Sequence, residues 1–169
     1  GHRVQVIDPS PDALASLDRR ARESGVAELV SAQQGDLSDL AGLAEQADVV
    51  LCHGVLEVVP DQVAGLAALA GALREGGVLS LVVGQLHAAV VARAMAGHFQ
   101  AARDLLDNPE TPRGRRFTHD EIRELLAAAG FDTFTVHAVR VFADLVPGSL
   151  LDLETGASAA LVELERAVA

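Results

Sequence analysis

Three short polar segments, each placed directly after an apolar run, carry side chains suited to ligand binding. Asp8 ends the first run, Gly35 and Asp36 follow the second, and His53 follows the third. The carboxyl ends of parallel strands line the ligand crevice of a doubly wound sheet. If the apolar runs are such strands, these four residues face one crevice, and they are our candidate binding residues.

Asp8 and the Gly35-Asp36 pair have the chemistry of a nucleoside site. A carboxylate at a strand end can accept hydrogen bonds from both ribose hydroxyls, although Asp8 could instead cap the helix that follows. Gly35 permits a close backbone approach. Asp36 could accept a hydrogen bond from an adenine amino group, or it could be an ordinary loop acid before a helix. The residues alone leave these alternatives open.

The sequence shows no pattern typical of a metal site or a catalytic dyad. Its histidines are scattered and Cys52 is its single cysteine, so the spacing of metal ligands is not present. His53 could simply be hydrogen-bonded at a strand end, and we expect Cys52 to be a small buried residue. We therefore assign no catalytic residue and no metal ligand.

Arg113, Arg115 and Arg116 form a dense cationic cluster in a chain whose formal net charge is −11. That net charge disfavours general attraction to nucleic acid, but a local basic patch can still bind phosphate. Aromatic residues make up only 3% of the chain, so stacking platforms for bases are nearly missing. The alternative is that the cluster is a solvated loop.

The elements that must position these residues alternate between strands and helices. Val49–Cys52 is an uninterrupted apolar run, which predicts a strand covered by helices on both faces. Ser10 before Pro11 predicts the start of a helix. Further along, a helical pattern leads through Gly76-Gly77 to an apolar strand over Val78–Val83, an order typical of a parallel crossover.

The second half of the sequence is dominated by helical patterns. A capping box at Thr118–Glu121 predicts a helix that ends at Gly130. We also expect a helix over Leu86–Leu106, an alternating strand over Phe131–Phe142, and one or two helices over Leu150–Val168.

Together these elements predict an α/β fold with a Rossmann-like, doubly wound and mostly parallel sheet. With 169 residues, half of them hydrophobic, we expect a single domain over residues 1–169. We find neither a first strand with a Gly-rich loop nor a last strand, so we expect this domain to be truncated at both ends. The lone cysteine, the missing leader and apolar runs shorter than the roughly 18 residues of a membrane span favour the cytoplasm and no membrane.

Several of these stretches resemble the class I S-adenosylmethionine-dependent methyltransferases. They are Val6–Asp8 with its terminal acid, the Gly35-Asp36 pair, Asp48–Val59 and Leu73–Leu79. Within that class, the chain is most similar to the bacterial tRNA 5-carboxymethoxyuridine methyltransferase family, on the stretches Cys52–Glu57, Gly77–Leu81, Met95–Phe99 and Val139–Asp144.

The resemblance implies S-adenosyl-L-methionine as the cofactor. Asp8 would bind its ribose, Gly35 and Asp36 would lie at its adenine, and His53 would lie beside its methionine and sulfonium end. The implied activity is that of a methyltransferase.

The narrower resemblance implies a tRNA substrate. Arg113, Arg115 and Arg116 would contact RNA phosphate. Arg140 would pair with a substrate carboxylate, although it could equally form a structural ion pair. The acceptor would be a carboxylate on the wobble uridine, which is already ionised and needs alignment and desolvation more than a general base.

Other functions stay open at this point. The chain could be a small-molecule O- or C-methyltransferase, or a non-catalytic binding domain with a methyltransferase-like fold. A nicotinamide-dependent oxidoreductase would also use an acid at Asp8. It is disfavoured because Gly35-Asp36 and Asp48–Val59 fit the methyltransferase pattern better.

Overall fold

A computed structural model describes residues 1–43, 46–152 and 154–168. These residues form two compact units. The first unit consists of Gly1–Val82 and Glu124–Phe131, and the second consists of Val83–Arg123 and Asp132–Ala169.

The strands of the first unit form two parallel pairs. Strand β1 (Val4–Asp8) pairs with β2 (Val30–Gln34), and β3 (Ala47–His53) pairs with β4 (Leu73–Val82). In each pair the register is parallel, so the two carboxyl ends lie side by side. Asp8 is opposite Gln34, and His53 is opposite Val82.

Three helices accompany these strands, namely α1 (Pro11–Glu23), α2 (Leu40–Leu43) and α3 (Gln62–Ala72). The predicted start of α1 is confirmed, because the Ser10 hydroxyl accepts a hydrogen bond from the backbone N–H of Ala13 and Pro11 is the first helical residue. A proline there has no N–H to leave unsatisfied. Asp61 caps α3 in the same way, through the N–H of Ala64.

The β3–β4 pair is buried on one face and open on the other. Helix α3 packs against both strands, and Cys52 is only 2% exposed. The alternate residues Val49 and Leu51 are 54% and 68% exposed. The expectation that helices cover both faces of this strand is therefore wrong for the described part of the chain.

The second unit is mostly helical. It contains α4 (Leu86–Met95), α5 (Phe99–Asp107), α7 (Gly148–Leu151) and α8 (Ala157–Val168), while α6 (His119–Ala128) begins in this unit and ends in the first. The single helix expected over Leu86–Leu106 is wrong, because Gly97 has a φ of 80° and the helix is interrupted there. The two C-terminal helices are confirmed.

The strand expected over Phe131–Phe142 is also wrong. No strand forms there, and Arg140 begins a turn with a φ of 59°. The backbone N–H groups of Val141, Phe142 and Ala143 donate to the carboxylate of Glu165 in α8, at 2.8, 2.8 and 2.7 Å. These donors are satisfied by a side chain and not by a neighbouring strand.

None of the described helices combines the length and the apolar character that a membrane crossing requires.

Candidate functional site

Asp8 and Gly35 are neighbours at the carboxyl end of the β1–β2 pair. The backbone N–H of Gly35 donates to the carbonyl oxygen of Asp8 at 3.3 Å. The side-chain Oδ1 of Asp8 accepts from the backbone N–H of Ser10 at 2.8 Å, while Oδ2 makes no hydrogen bond within the described residues. One carboxylate oxygen thus steadies the turn into α1, and the other is available to a ligand.

Asp36 is occupied by its own turn. Its Oδ1 accepts from the backbone N–H of Ser38 at 2.7 Å and from the Ser38 hydroxyl, and its N–H donates to Asp39. The hydroxyl and then the N–H of Ser38 lower the pKa of the Asp36 carboxyl, because they stabilise the charged form. These contacts are those of the loop acid that the sequence left as an alternative. Its role at an adenine stays a prediction.

His53 is the last residue of β3 and belongs to the other strand pair. Its Nε2 lies 2.9 Å from the hydroxyl oxygen of Ser80 on β4, and within the described residues no hydrogen bond joins it to Asp8 or Gly35. The next residue, Gly54, has a φ of 69° and donates its N–H to Val82 at 2.9 Å. The left-handed conformation of Gly54 therefore ends the strand directly after His53, while the Gly54 N–H still bonds to the end of β4.

A buried acid lies close to this strand end, and the sequence analysis did not single it out. Glu57 is only 8% exposed and belongs to a short helical turn, Leu56–Val58. Burial raises the pKa of the Cys52 thiol, and the charge of Glu57 raises it further. Cys52 is thus held as a neutral thiol, which is a poor nucleophile. Glu57 could have been found from the sequence, because it is an acidic residue within the otherwise apolar run Val55–Val59.

The three clustered arginines have different surroundings. Thr111 accepts the N–H of Gly114 at 2.9 Å and closes a turn that presents exposed Arg113. Arg115 pairs with Glu110 at 3.2 Å and with Glu121 at 2.8 Å, and its guanidinium lies 5.8 Å from the centre of the Phe117 ring. Arg116 lies over the backbone of Gly84.

These surroundings show which of the three arginines could bind a phosphate without first breaking an ion pair. In the described ranges, neither Arg113 nor Arg116 forms an ion pair with a carboxylate. Arg115 already has two carboxylate partners, which compete with any phosphate for the same donors. The contact of all three with RNA stays a prediction.

Arg140 lies in a turn that is held from two sides. Its Nε donates to Asp144 at 2.9 Å, as in the structural ion pair that the sequence left open. Glu165 accepts the N–H groups of the three residues that follow Arg140. The side chain of Arg140 is still mostly exposed, and its pairing with a substrate carboxylate stays a prediction.

The described residues contain no group of three or more His, Cys, Asp or Glu side chains that could hold a metal ion.

This chain is similar to several known proteins. Residues 1–79 match a family model described as a methyltransferase domain. An uncharacterised protein of Synechococcus sp. is 41% identical over 80 residues, which is 47% of this chain and 19% of that protein. The tRNA 5-carboxymethoxyuridine methyltransferase of Escherichia coli is 28% identical over 172 residues, covering 92% of this chain and 64% of that enzyme.

A solved structure extends the likeness to the fold. An O-methyltransferase family 2 protein from Planctomyces limnophilus, crystallised with apigenin, superposes with a TM-score of 0.56 and 24% identity over 81% of this chain and 39% of that one. The predicted Rossmann-like α/β fold is thereby confirmed. The chain spans less than two thirds of the length of either curated relative.

Proposed function

We propose that the chain is a class I S-adenosylmethionine-dependent methyltransferase, which binds S-adenosylmethionine and acts in methyl transfer to a carboxylate on a tRNA wobble uridine. When bound, this cofactor supplies an electrophilic methyl group on a sulfonium. The observation that supports the cofactor part is Asp8 at the end of two parallel strands, whose carbonyl oxygen accepts from Gly35 and whose side-chain Oδ2 makes no hydrogen bond within the described residues.

The residues at this strand end fit a nucleoside. A half-buried carboxylate with one available oxygen can accept from a ribose hydroxyl, and a glycine next to it leaves room for a ligand near the backbone. His53 presents an exposed imidazole at the end of β3, fixed by Ser80. Asp36 contributes less directly, because its carboxylate is already engaged by Ser38.

The substrate part of the proposal is supported by the relative from Escherichia coli, which matches over 92% of this chain. It is also supported by two arginines without carboxylate partners in the described residues, Arg113 and Arg116, and by Arg140 for the carboxylate. Since an ionised carboxylate is itself a nucleophile, these residues need only bind and align it.

A small-molecule acceptor is the second candidate. The net charge of −11 repels a polyanion such as tRNA and favours a smaller substrate. The two candidates share the cofactor and differ only in the acceptor.

The cofactor is tested by calorimetric titration with S-adenosylmethionine. Asp8→Asn should bind it about tenfold more weakly or worse, because an amide is a poorer acceptor for hydroxyls than a carboxylate. Asp12→Asn is the matched control, an exposed acid in the first turn of α1, and should bind normally. A wild-type protein that binds neither S-adenosylmethionine nor NAD is a non-catalytic domain, and one that binds only NAD is an oxidoreductase.

The acceptor is tested by following the radioactive methyl group. A tRNA that carries 5-carboxymethoxyuridine should be labelled, and the same tRNA with plain uridine should not. Labelling of the free 5-carboxymethoxyuridine nucleoside at an equal rate would favour the small-molecule candidate. No labelling of either acceptor, with cofactor binding intact, would refute the proposed carboxylate.

A further inference from the structure

We propose that Gly84 is a positioning residue for Arg116, and that Arg116, held in this way, binds a phosphate of the RNA substrate while Arg115 serves the fold. The inference rests on the proposed tRNA substrate and names which arginine of the cluster recognises it. It also assigns a role to a glycine that no sequence pattern singled out.

The backbone fixes the two residues against each other. Phe117 donates its N–H to the carbonyl oxygen of Gly84 at 3.0 Å, and Leu86 donates its N–H to the carbonyl oxygen of Phe117 at 2.8 Å. Residues 85 and 117 form a parallel bridge, and Phe117 is 1% exposed. Because Arg116 directly precedes this buried anchor, its Cα cannot move far from Gly84.

The side chain of Arg116 fills the space that a side chain at position 84 would need. A Cβ at Gly84 would lie 2.1 Å from Nη1 of Arg116 and 3.0 Å from its Cδ and Cζ. Gly84 is not among the residues with positive φ, so its backbone would accept alanine. An alanine at position 84 would therefore have to displace the side chain of Arg116, while the backbone itself would not be strained.

This placement distinguishes Arg116 from its neighbours. Arg115 donates to Glu110 and Glu121 and lies over the Phe117 ring, so its donors are committed to the loop and to α6. Arg116 has no carboxylate partner in the part of the chain that is described, and its guanidinium rests on a backbone surface. A guanidinium that is already ordered loses less freedom when it binds a phosphate.

The roles of Gly84 and Arg116 are tested by measuring tRNA binding of the variants at several salt concentrations. Arg116→Ala should weaken binding about tenfold and reduce the salt slope by about 0.9, the value of one phosphate contact. Gly84→Ala should weaken binding in the same direction, because it displaces the guanidinium. The double variant Gly84→Ala/Arg116→Ala should bind like Arg116→Ala alone, since the alanine then has nothing to displace.

Two controls and one spectroscopic readout complete the test. Gly148→Ala places a methyl group in open space in the same unit and should leave binding unchanged. In the NMR spectrum of the arginine side chains, the Arg116 Nε–H signal, identified by its loss in Arg116→Ala, should shift in Gly84→Ala and not in Gly148→Ala. Unfolding midpoints in urea should show that all variants are folded.

The outcomes separate this inference from the proposed function. If wild-type protein binds tRNA and Gly84→Ala binds equally well, or if the double variant is weaker than Arg116→Ala, the positioning role is wrong and the proposed substrate stands. If wild-type protein binds no tRNA, the proposed substrate and the phosphate contact both fail. The positioning of Arg116 is then decided by its NMR signal, and an unshifted signal in Gly84→Ala refutes it.

Discussion

Nη2 of Arg115 donates to Oε1 of Glu121 at 2.8 Å, so the loop that precedes α6 is tied to the first turn of that helix. The other oxygen of Glu121 accepts from the N–H and the hydroxyl of Thr118, at 2.7 and 2.9 Å, while the Glu121 N–H donates back to Thr118 at 3.2 Å. One carboxylate therefore completes the predicted capping box and neutralises an arginine.

We predict that Glu121→Gln lowers the free energy of unfolding by about 1 kcal/mol near neutral pH, since it weakens a helix cap and removes the charge opposite Arg115. Urea denaturation measures this loss. Glu124→Gln, an exposed residue of the same helix, should change stability much less. Equal stability of Glu121→Gln and wild type would show that the glutamine amide keeps the cap and that the charge opposite Arg115 adds no stability.

The same carboxylate predicts a pH dependence. The backbone N–H of Thr118 lowers the pKa of Glu121, burial opposes this, and the Thr118 hydroxyl and Arg115 lower it further. Because the folded pKa lies below the ordinary glutamate value, the stabilisation is present at pH values above that ordinary value and is lost as the pH falls through the folded pKa. As the pH falls from the ordinary glutamate pKa through the folded pKa of Glu121, wild type should therefore lose more stability than Glu121→Gln.

Glu165 should control local opening of the turn after Arg140. In Glu165→Ala, the amides of Val141, Phe142 and Ala143 lose their acceptor, and their hydrogen exchange should speed up markedly. Glu163→Gln is the control, because among the described residues Glu163 pairs with Arg166 alone, on the exposed face of the same helix. Unchanged exchange at the three amides would contradict the contact.

Acid should open this turn in the wild type as well. Burial acts to raise the pKa of Glu165, but the N–H groups of Ala143, Phe142 and Val141, with the charge of Arg140, outweigh it and lower the pKa. The contact thus stabilises the fold at pH values above the ordinary pKa of glutamate, and it is lost as the pH falls through the pKa of Glu165 in the folded state. Exchange at these amides, corrected for intrinsic rates, should rise in acid, and in Glu165→Ala it should not.

We predict that Arg140→Gly leaves the stability of the fold nearly unchanged but weakens binding of the substrate carboxylate. Arg140 has a φ of 59°, a conformation that costs most L-residues about 1–2 kcal/mol and glycine almost nothing. The greater freedom of glycine in the unfolded chain offsets part of this gain, so stability should stay within about 1 kcal/mol of wild type. Methyl transfer to the carboxylate acceptor should fall through a raised KM, as steady-state kinetics would measure. A variant with wild-type KM would remove Arg140 from substrate binding.

Gly54 should be required for the turn after His53. Its φ of 69° is unfavourable for alanine, while no atom lies within 4 Å of an added Cβ. Gly54→Ala should therefore destabilise the protein by about 1–2 kcal/mol through the backbone alone. Gly71→Ala is the control, a position inside α3 with the same open space, and should stabilise by up to about 1 kcal/mol. Thermal or urea unfolding distinguishes the two.

The features that could be predicted from the sequence are those set by residues close in the chain. Ser10 with Pro11, and Thr118 with Glu121, mark helix starts because each cap acts within one turn. The neighbouring ends of β1 and β2 could also be predicted, since parallel strands bring their carboxyl ends to one edge. The alternating apolar pattern over Phe131–Phe142 wrongly predicted a strand. Alternation shows which residues share a face, but it does not show whether a neighbouring strand is present to accept the backbone hydrogen bonds.

The remaining features depend on contacts between residues distant in the chain. Glu165 bonds residues more than twenty positions away, and no local pattern marks it. The exposure of Leu51 depends on which elements cover its sheet. The arginine cluster looks uniform in the sequence, and only the surroundings of Arg115 and Arg116 distinguish a residue committed to the loop from one available to a ligand.

Helix α6 begins in one unit and ends in the other, and the chain passes between the units three times. A cut at any single position would therefore fail to separate the two units. Anyone wishing to express the strand-containing unit alone would have to join residue 82 to residue 124 by a designed linker, and no protease cleaving at one site could release it intact.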